Sequence, residues 1–263
     1  MPLTTIDLSG FPKDREEGLR RILRYSMFEV MFYRSSLWQH SHRVHWIVEE
    51  LLPLTDGVIK IDKEKARVLA LVHDDAEMVT GDIQAGHKAK MTKEQLMQLE
   101  KDEEKAAIKL AVGYPKEVHG YEYQSLLVSA VYKDCIEAQL VSYADRFDAY
   151  CETLHEILAG NLGLIWSLMF YERWLPSYAK KYPALKPLTK VPSPFMVIGD
   201  NRFQPPLVQA RNYEWLGKPH TEESIKHPTE FGFYDAWREM VQRRAGEEGR
   251  GWLLEQKEFL PSA

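Results

Sequence analysis

The chain has 263 residues, a mass of 30.6 kDa and a formal net charge of −5 at pH 7, which fits one large domain or two small ones and excludes a chain too short to bury a core. Hydrophobic residues make up 44% and charged residues 28%, an ordinary globular balance that excludes wholesale disorder. The weak acidity offers no global attraction to a long nucleic-acid strand, which takes a basic face, so an anionic partner would need local cations.

The N-terminal segment has no basic run followed by an apolar run, so no secretory signal is expected. Asp14 to Phe32 carries Leu19, Ile22, Leu23 and Met27 near the 3.6 period and is predicted as one helix. Ser35 or Ser36 can cap the next helix, which runs to Leu52 and stops at Pro53. Its core stripe is Leu37, Val44, Val48 and Leu51. Asp62 opens a further helix whose middle, Val68 to Val72, is apolar on every side, so it is predicted to be buried all round and to end at Thr80-Gly81-Asp82. Thr92 opens a charged helix closed by Gly113 and Pro115. Long helices are predicted from Asp134 to Leu158 and from Leu162 to Lys181. The apolar stretch within the last is too short to span a bilayer.

Strand-like alternation is scarce, so the expected fold is an all-α bundle over residues 1–182. Residues 183–263 form a separate extension. Eight of the 14 prolines fall between Pro183 and Pro228, which excludes a long helix there. The extension is also rich in aromatics and is expected to pack on the bundle, with one more helix from Phe233 to Arg244. Cys135 and Cys151 on one helix would be about 24 Å apart, beyond disulfide reach. A reducing cytoplasm is the expected compartment, with no membrane partner.

Three segments can carry chemistry. In Val72-His73-Asp74-Asp75-Ala76-Glu77, a His and an Asp at the end of an apolar helix are costly to bury unless paired or metal-bound. Glu77 is expected on their helix face, and imidazole with carboxylates suits a divalent cation. A helix-end cap with a hydrogen-bonded His is the alternative. In Gln39-His40-Ser41-His42-Arg43-Val44-His45, His40 lies in the core stripe, His42 points away towards solvent and His45 is on the flank. In the helix bearing Asp145, Ile136, Leu140, Phe147, Leu154 and Leu158 form one apolar stripe. The opposite face carries the small Ala138, Val141, Ser142 and Ala149, so Asp145 is expected between two covered faces or exposed on an amphipathic helix.

Taken together, these segments resemble the HD-domain phosphohydrolase superfamily, and within it the 5′-deoxynucleotidase group. Gln39-His40-Ser41, the stretch LALVHDDAEMVTGDI and the stretch ADRFDAY carry the resemblance, in matching order over residues 14–182. It implies that His40, His73, Asp74 and Asp145 hold one divalent metal, with Mn, Co, Mg, Zn or Fe all open. It implies Glu77 as general acid/base and Asp82 as an aid to the leaving group, water or sugar. Arg34 matches a phosphate-side arginine. Lys88 and Lys90 could supply further positive charge, and Trp38 could stack on a base. The group's upstream Arg-Trp pair reads Arg24-Tyr25 here, an acidic residue upstream of the last Asp falls on Ala130, and residues after Tyr182 have no counterpart.

The implied activity is hydrolysis of a 5′-(deoxy)nucleoside monophosphate to nucleoside and phosphate. Release of triphosphate from a deoxynucleoside triphosphate is the alternative, and a nucleotide-binding sensor or scaffold with a degenerate domain is the alternative of another class. The partner is a small nucleotide rather than a long strand, and the resemblance leaves a homodimer open.

Overall fold

The computed structural model describes residues 10–12, 14–31, 34–158 and 177–189, with single positions at 6, 8, 161, 164, 167, 170, 171 and 174. Two compact units divide the chain: Met1–Glu29 with Arg34–Ala144, and Val30–Tyr33 with Asp145–Ala263. Helices dominate the described residues. No helix among them is long and apolar enough to cross a membrane.

In the first unit, α1 (Asp14–Arg21) has acidic residues in its first turn and basic ones in its last, the arrangement the helix dipole favours. It ends well short of Phe32. Leu23 forms an isolated antiparallel bridge with Ser36, and Tyr25 takes a φ of 54°, which a right-handed helix cannot contain. Leu23 and Met27 are exposed in consequence.

Helix α2 (Leu37–Leu51) begins at Ser36 with a reciprocal cap. Gln39 N–H donates to Ser36 Oγ at 3.5 Å, and Ser36 N–H donates to Gln39 Oε1 at 2.9 Å. Two orphan donors are satisfied at once. The predicted stripe is buried: Leu37, Val44, Val48 and Leu51 all leave solvent. Pro53 falls in a 3-10 turn, Leu52–Thr55.

Helix α3 (Lys63–Val72) is capped by Asp62, which accepts from Lys65 N–H at 3.1 Å. Val68 to Val72 are all buried, as an apolar helix packed on several sides requires. It packs on α2. Where one helix to Thr80 is expected, α3 stops at Val72 and a turn, residues 73–76, leads to the short α4 (Glu77–Thr80). The cause is local. The Leu71 carbonyl, which would accept from Asp75 N–H in a continuing helix, accepts from Arg15 Nη2 at 2.8 Å instead. Asp75 N–H donates to Val72 at 3.0 Å. Gly81, at φ 75° and ψ 161°, then ends α4.

After α5 (Ala85–Lys88), Thr92 and Gln95 repeat the reciprocal cap at the start of α6 (Lys93–Ala111). Two further elements follow that the periodicity does not reveal. A hairpin pairs β1 (Glu117–Val118) with β2 (Tyr121–Glu122). Its turn residues His119 and Gly120 both have positive φ, as a two-residue hairpin turn of right-handed strand twist demands. Helix α7 (Tyr123–Tyr132) then buries Tyr123, Leu126, Leu127 and Val131, packing on α3 and α6.

Helix α8 (Ile136–Leu158) runs from the first unit into the second. Leu140 and Phe147 are buried, and so are Ala138, Val141, Ser142 and Ala149, so both faces are covered. Cys135 precedes α8 and Cys151 lies within it, and neither is in a disulfide. In the second unit, the short helices Tyr178–Lys181 and Lys186–Thr189 flank a 3-10 turn beginning at Pro183. The predicted helix Phe233 to Arg244 lies outside the described residues.

Candidate metal centre

The first turn of α2 and the end of α3 bring three side chains together. His40 sits in the first turn of α2, fully buried. His73 and Asp74 leave the end of α3 where the helix gives way to the turn. One potential ligand atom from each of the three lies within 4.8 Å of the others. The Asp74 carboxylate stands between the rings: Oδ2 is 3.3 Å from His40 Nε2 and Oδ1 is 3.3 Å from His73 Nε2.

The imidazole of His73 has its orientation fixed. Nδ1 lies 2.8 Å from the Ala70 carbonyl and donates to it, so Nε2 is the nitrogen turned towards Asp74. Nε2 is buried and has no hydrogen-bond partner among the described residues. A buried ring nitrogen beside a carboxylate oxygen fits a cation bound by both, and an imidazole oriented by its other nitrogen is the usual form of a metal-ligating histidine. The donor set of two imidazoles and a carboxylate suits a borderline or hard divalent ion. These residues fit a divalent metal.

Glu77 opens α4 beside this cluster. Its Oε2 is buried and has no hydrogen-bond partner among the described residues. Burial, then the charges of Asp74 and Asp82, hold its carboxyl well above the usual range, while Lys88 and Arg24 act in the opposite direction. The structure thus brings Asp74, Glu77, Asp82, Lys88 and Arg24 into one electrostatic neighbourhood. Arg24, buried in the loop after α1, is a member to which sequence reasoning gives no role.

The other expected site residues are placed as follows. Lys88 Nζ pairs with Glu103 Oε1 of α6 at 2.8 Å. Lys90 is exposed in the turn after α5. Arg34 uses two N–H groups on its own loop, donating to the Tyr25 and Phe28 carbonyls at 2.8 and 2.5 Å. Trp38 lies under the guanidinium groups of Arg15 and Arg20, at 5.8 and 5.5 Å from its ring centroid. Asp145 stands on α8 in the second unit, with Oδ2 3.2 Å from Arg146 Nη1.

One orientation needs correction. His42, expected in solvent, is partly buried against Trp38, with ring centroids 4.3 Å apart and Nδ1 2.8 Å from the Trp38 carbonyl. Trp38 is four residues back, so its large ring covers the face on which His42 emerges. Burial pushes the His42 imidazole down to about 4.

The profile of the YfbR-like 5′-deoxynucleotidase family matches residues 17–165. The chain belongs to this family. The matched span holds every residue of the cluster and Glu77. Among curated YfbR-like relatives, the 5′-deoxynucleotidase of Yersinia pestis (strain Pestoides F) is 30% identical over 128 residues, which are 47% of this chain and 62% of the relative. A 5′-deoxynucleotidase of Yersinia pseudotuberculosis serotype O:3 (strain YPIII) matches at the same identity and coverage. The chain therefore spans 62% of the length of these relatives. Among solved structures, a conserved hypothetical protein from Pyrococcus furiosus aligns with a TM-score of 0.47 at 21% identity, covering 69% of this chain and 96% of the other.

Proposed function

We propose that this YfbR-like protein is a metal-dependent phosphohydrolase that cleaves a 5′-(deoxy)nucleoside monophosphate into nucleoside and phosphate. The observation that carries this is the His40–His73–Asp74 ligand cluster with the buried carboxyl of Glu77 beside it. His40, His73 and Asp74 would hold one divalent ion, and Asp145 is the fourth ligand on the family pattern alone. Bound there, the ion supplies charge neutralisation at the phosphate and lowers the pKa of water. Two neutral imidazoles and two carboxylates leave that site formally neutral, so an anionic phosphate is not repelled.

The chain's own residues divide the remaining work. Burial and two neighbouring carboxylates push the Glu77 carboxyl up, which suits a general acid/base that takes a proton from the attacking water and delivers one to the departing O5′. Asp82 adds to that push by its charge and, on the family pattern, sits by the sugar or helps orient water and leaving group. Lys88, close enough to Glu77 to act on it, attracts the phosphate, with Arg34 and Lys90 as further cations and Trp38 as the base-side aromatic.

The test is an assay of the purified protein with Mn²⁺, Co²⁺ or Mg²⁺ against mono-, di- and triphosphate nucleotides, identifying the leaving product. Inorganic phosphate from a monophosphate is expected. Release of triphosphate assigns the alternative hydrolysis, and absence of turnover with every metal overturns the enzyme reading. Glu77→Ala is expected to lose turnover while keeping the metal.

A further inference from the structure

Asp75 follows Asp74 in sequence but is excluded from solvent altogether, and its carboxylate is bound on the far side of the turn. Arg15 of α1, itself 3% exposed, donates from Nε to Oδ2 and from Nη2 to Oδ1, both at 2.8 Å. Tyr123 of α7 donates its hydroxyl to Oδ2 at 2.8 Å. The same Nη2 also donates to the Leu71 carbonyl. Arg15 is held in turn by the Phe11 ring, 4.9 Å from the guanidinium carbon. Tyr123 is stacked on Tyr114 with ring centroids 5.3 Å apart.

We propose that Arg15 and Tyr123 are positioning residues that grip Asp75 and thereby set His73 and Asp74 for metal binding; the inference rests on the metal reading given above. A planar guanidinium on a carboxylate fixes orientation as well as distance. The grip reaches the metal pair by two routes. It anchors the residue next to Asp74, and it withdraws the Leu71 carbonyl from the helix ladder, so that α3 ends where His73 must turn inward. Stability alone is a poor explanation for the arrangement, since a buried ion pair is often no better than apolar packing of the same volume. What an apolar substitute lacks is the fork that fixes direction.

The experiment measures Co²⁺ affinity by calorimetry and thermal stability in parallel for the wild type, Arg15→Lys and Tyr123→Phe. Lysine keeps the charge and loses the fork; phenylalanine keeps the ring and loses one donor. Val131→Ala, two turns along α7 from Tyr123, serves as a control for general destabilisation. The Co²⁺ dissociation constant is expected to rise about 10- to 100-fold in Arg15→Lys and by a smaller factor in Tyr123→Phe, with the control within about twofold of wild type. A dissociation constant unchanged in both variants overturns the grip while leaving the metal reading intact. A fall in affinity shared equally by the control reduces it to ordinary stability and overturns it too. A wild type that binds no Co²⁺ removes the metal reading and the grip with it.

Discussion

His73 Nε2 lies 3.3 Å from Asp74 Oδ1 while Nδ1 of the same ring is held by the Ala70 carbonyl. The ring is anchored, so a ring nitrogen and a carboxylate oxygen meet in a buried site. A divalent ion bound by both is expected to stabilise the fold. At a free ion concentration a hundred times the dissociation constant, the gain is about 2.7 kcal/mol. Chelation should therefore lower Tm, and Mn²⁺ or Co²⁺ should restore it. His73→Ala should abolish the metal response, His40→Ala should weaken it, and His42→Ala should leave it intact. Differential scanning calorimetry with and without ion checks this.

The cap at Ser36 holds the end of α2 from which His40 projects. Ser36→Ala removes the acceptor for Gln39 N–H, and a cost of about 1 kcal/mol is expected. Ser36→Asp keeps an acceptor at the N-terminus of the helix, so its loss should be a few tenths of a kcal/mol. Urea unfolding of both variants separates the outcomes.

These caps show why part of the molecule is legible in sequence. Caps at Ser35 or Ser36, Asp62 and Thr92 and the α2 stripe are short-range signals that a local reading finds, although the choice of Ser36 and the reciprocal partners Gln39 and Gln95 come from the structure. The same stripe turns His40 inward, and His73-Asp74 is conspicuous because polar residues at the end of an apolar helix need a partner. The early end of α1 was hidden, because it depends on a bridge to Ser36 and on the positive φ of Tyr25. Helix α7 follows a hairpin of two-residue strands, too short to show alternation. The Arg15–Asp75–Tyr123 set joins positions 60 and 48 residues apart, which no local period encodes.

Gly81 occupies a backbone region almost reserved for glycine, at φ 75° and ψ 161°. A Cβ there would meet nothing within 4 Å, so Gly81→Ala tests conformation without steric collision. A loss of about 1–3 kcal/mol is expected. Because the turn delivers Asp82 to the neighbourhood of Glu77, turnover should fall further than the fraction unfolded explains. Urea unfolding and kcat on the same preparation test this, and kcat falling only in proportion to folded protein would separate the turn from catalysis.

His45 joins α2 to α3 away from the metal cluster, and it should make the stability of the fold depend on pH. Its Nδ1 is 3.1 Å from the Arg67 carbonyl, and Nε2 is 3.9 Å from Glu49 Oε1, an oxygen already bound by Arg67 Nε at 2.7 Å. Burial is the main influence and pushes the imidazole pKa down, with the Arg67 charge adding to it against the pull of Glu49 and of the hydrogen bond to Arg67. The folded protein therefore holds His45 neutral, whereas the unfolded chain protonates it below about 6.5. Below that pH the unfolded state binds the extra proton, so the His45 contribution is complete above 6.5 and is lost as pH falls through the depressed folded value. His45→Asn can keep a donor for the Arg67 carbonyl but has nothing to titrate. Wild type should exceed this variant by about 1–2 kcal/mol at pH 7.5, and the gap should narrow steadily towards pH 5. Urea unfolding of the pair across that range isolates the effect, because the carboxylates common to both cancel in the difference. A gap that stays constant or widens on acidification would mean that His45 is charged in the fold.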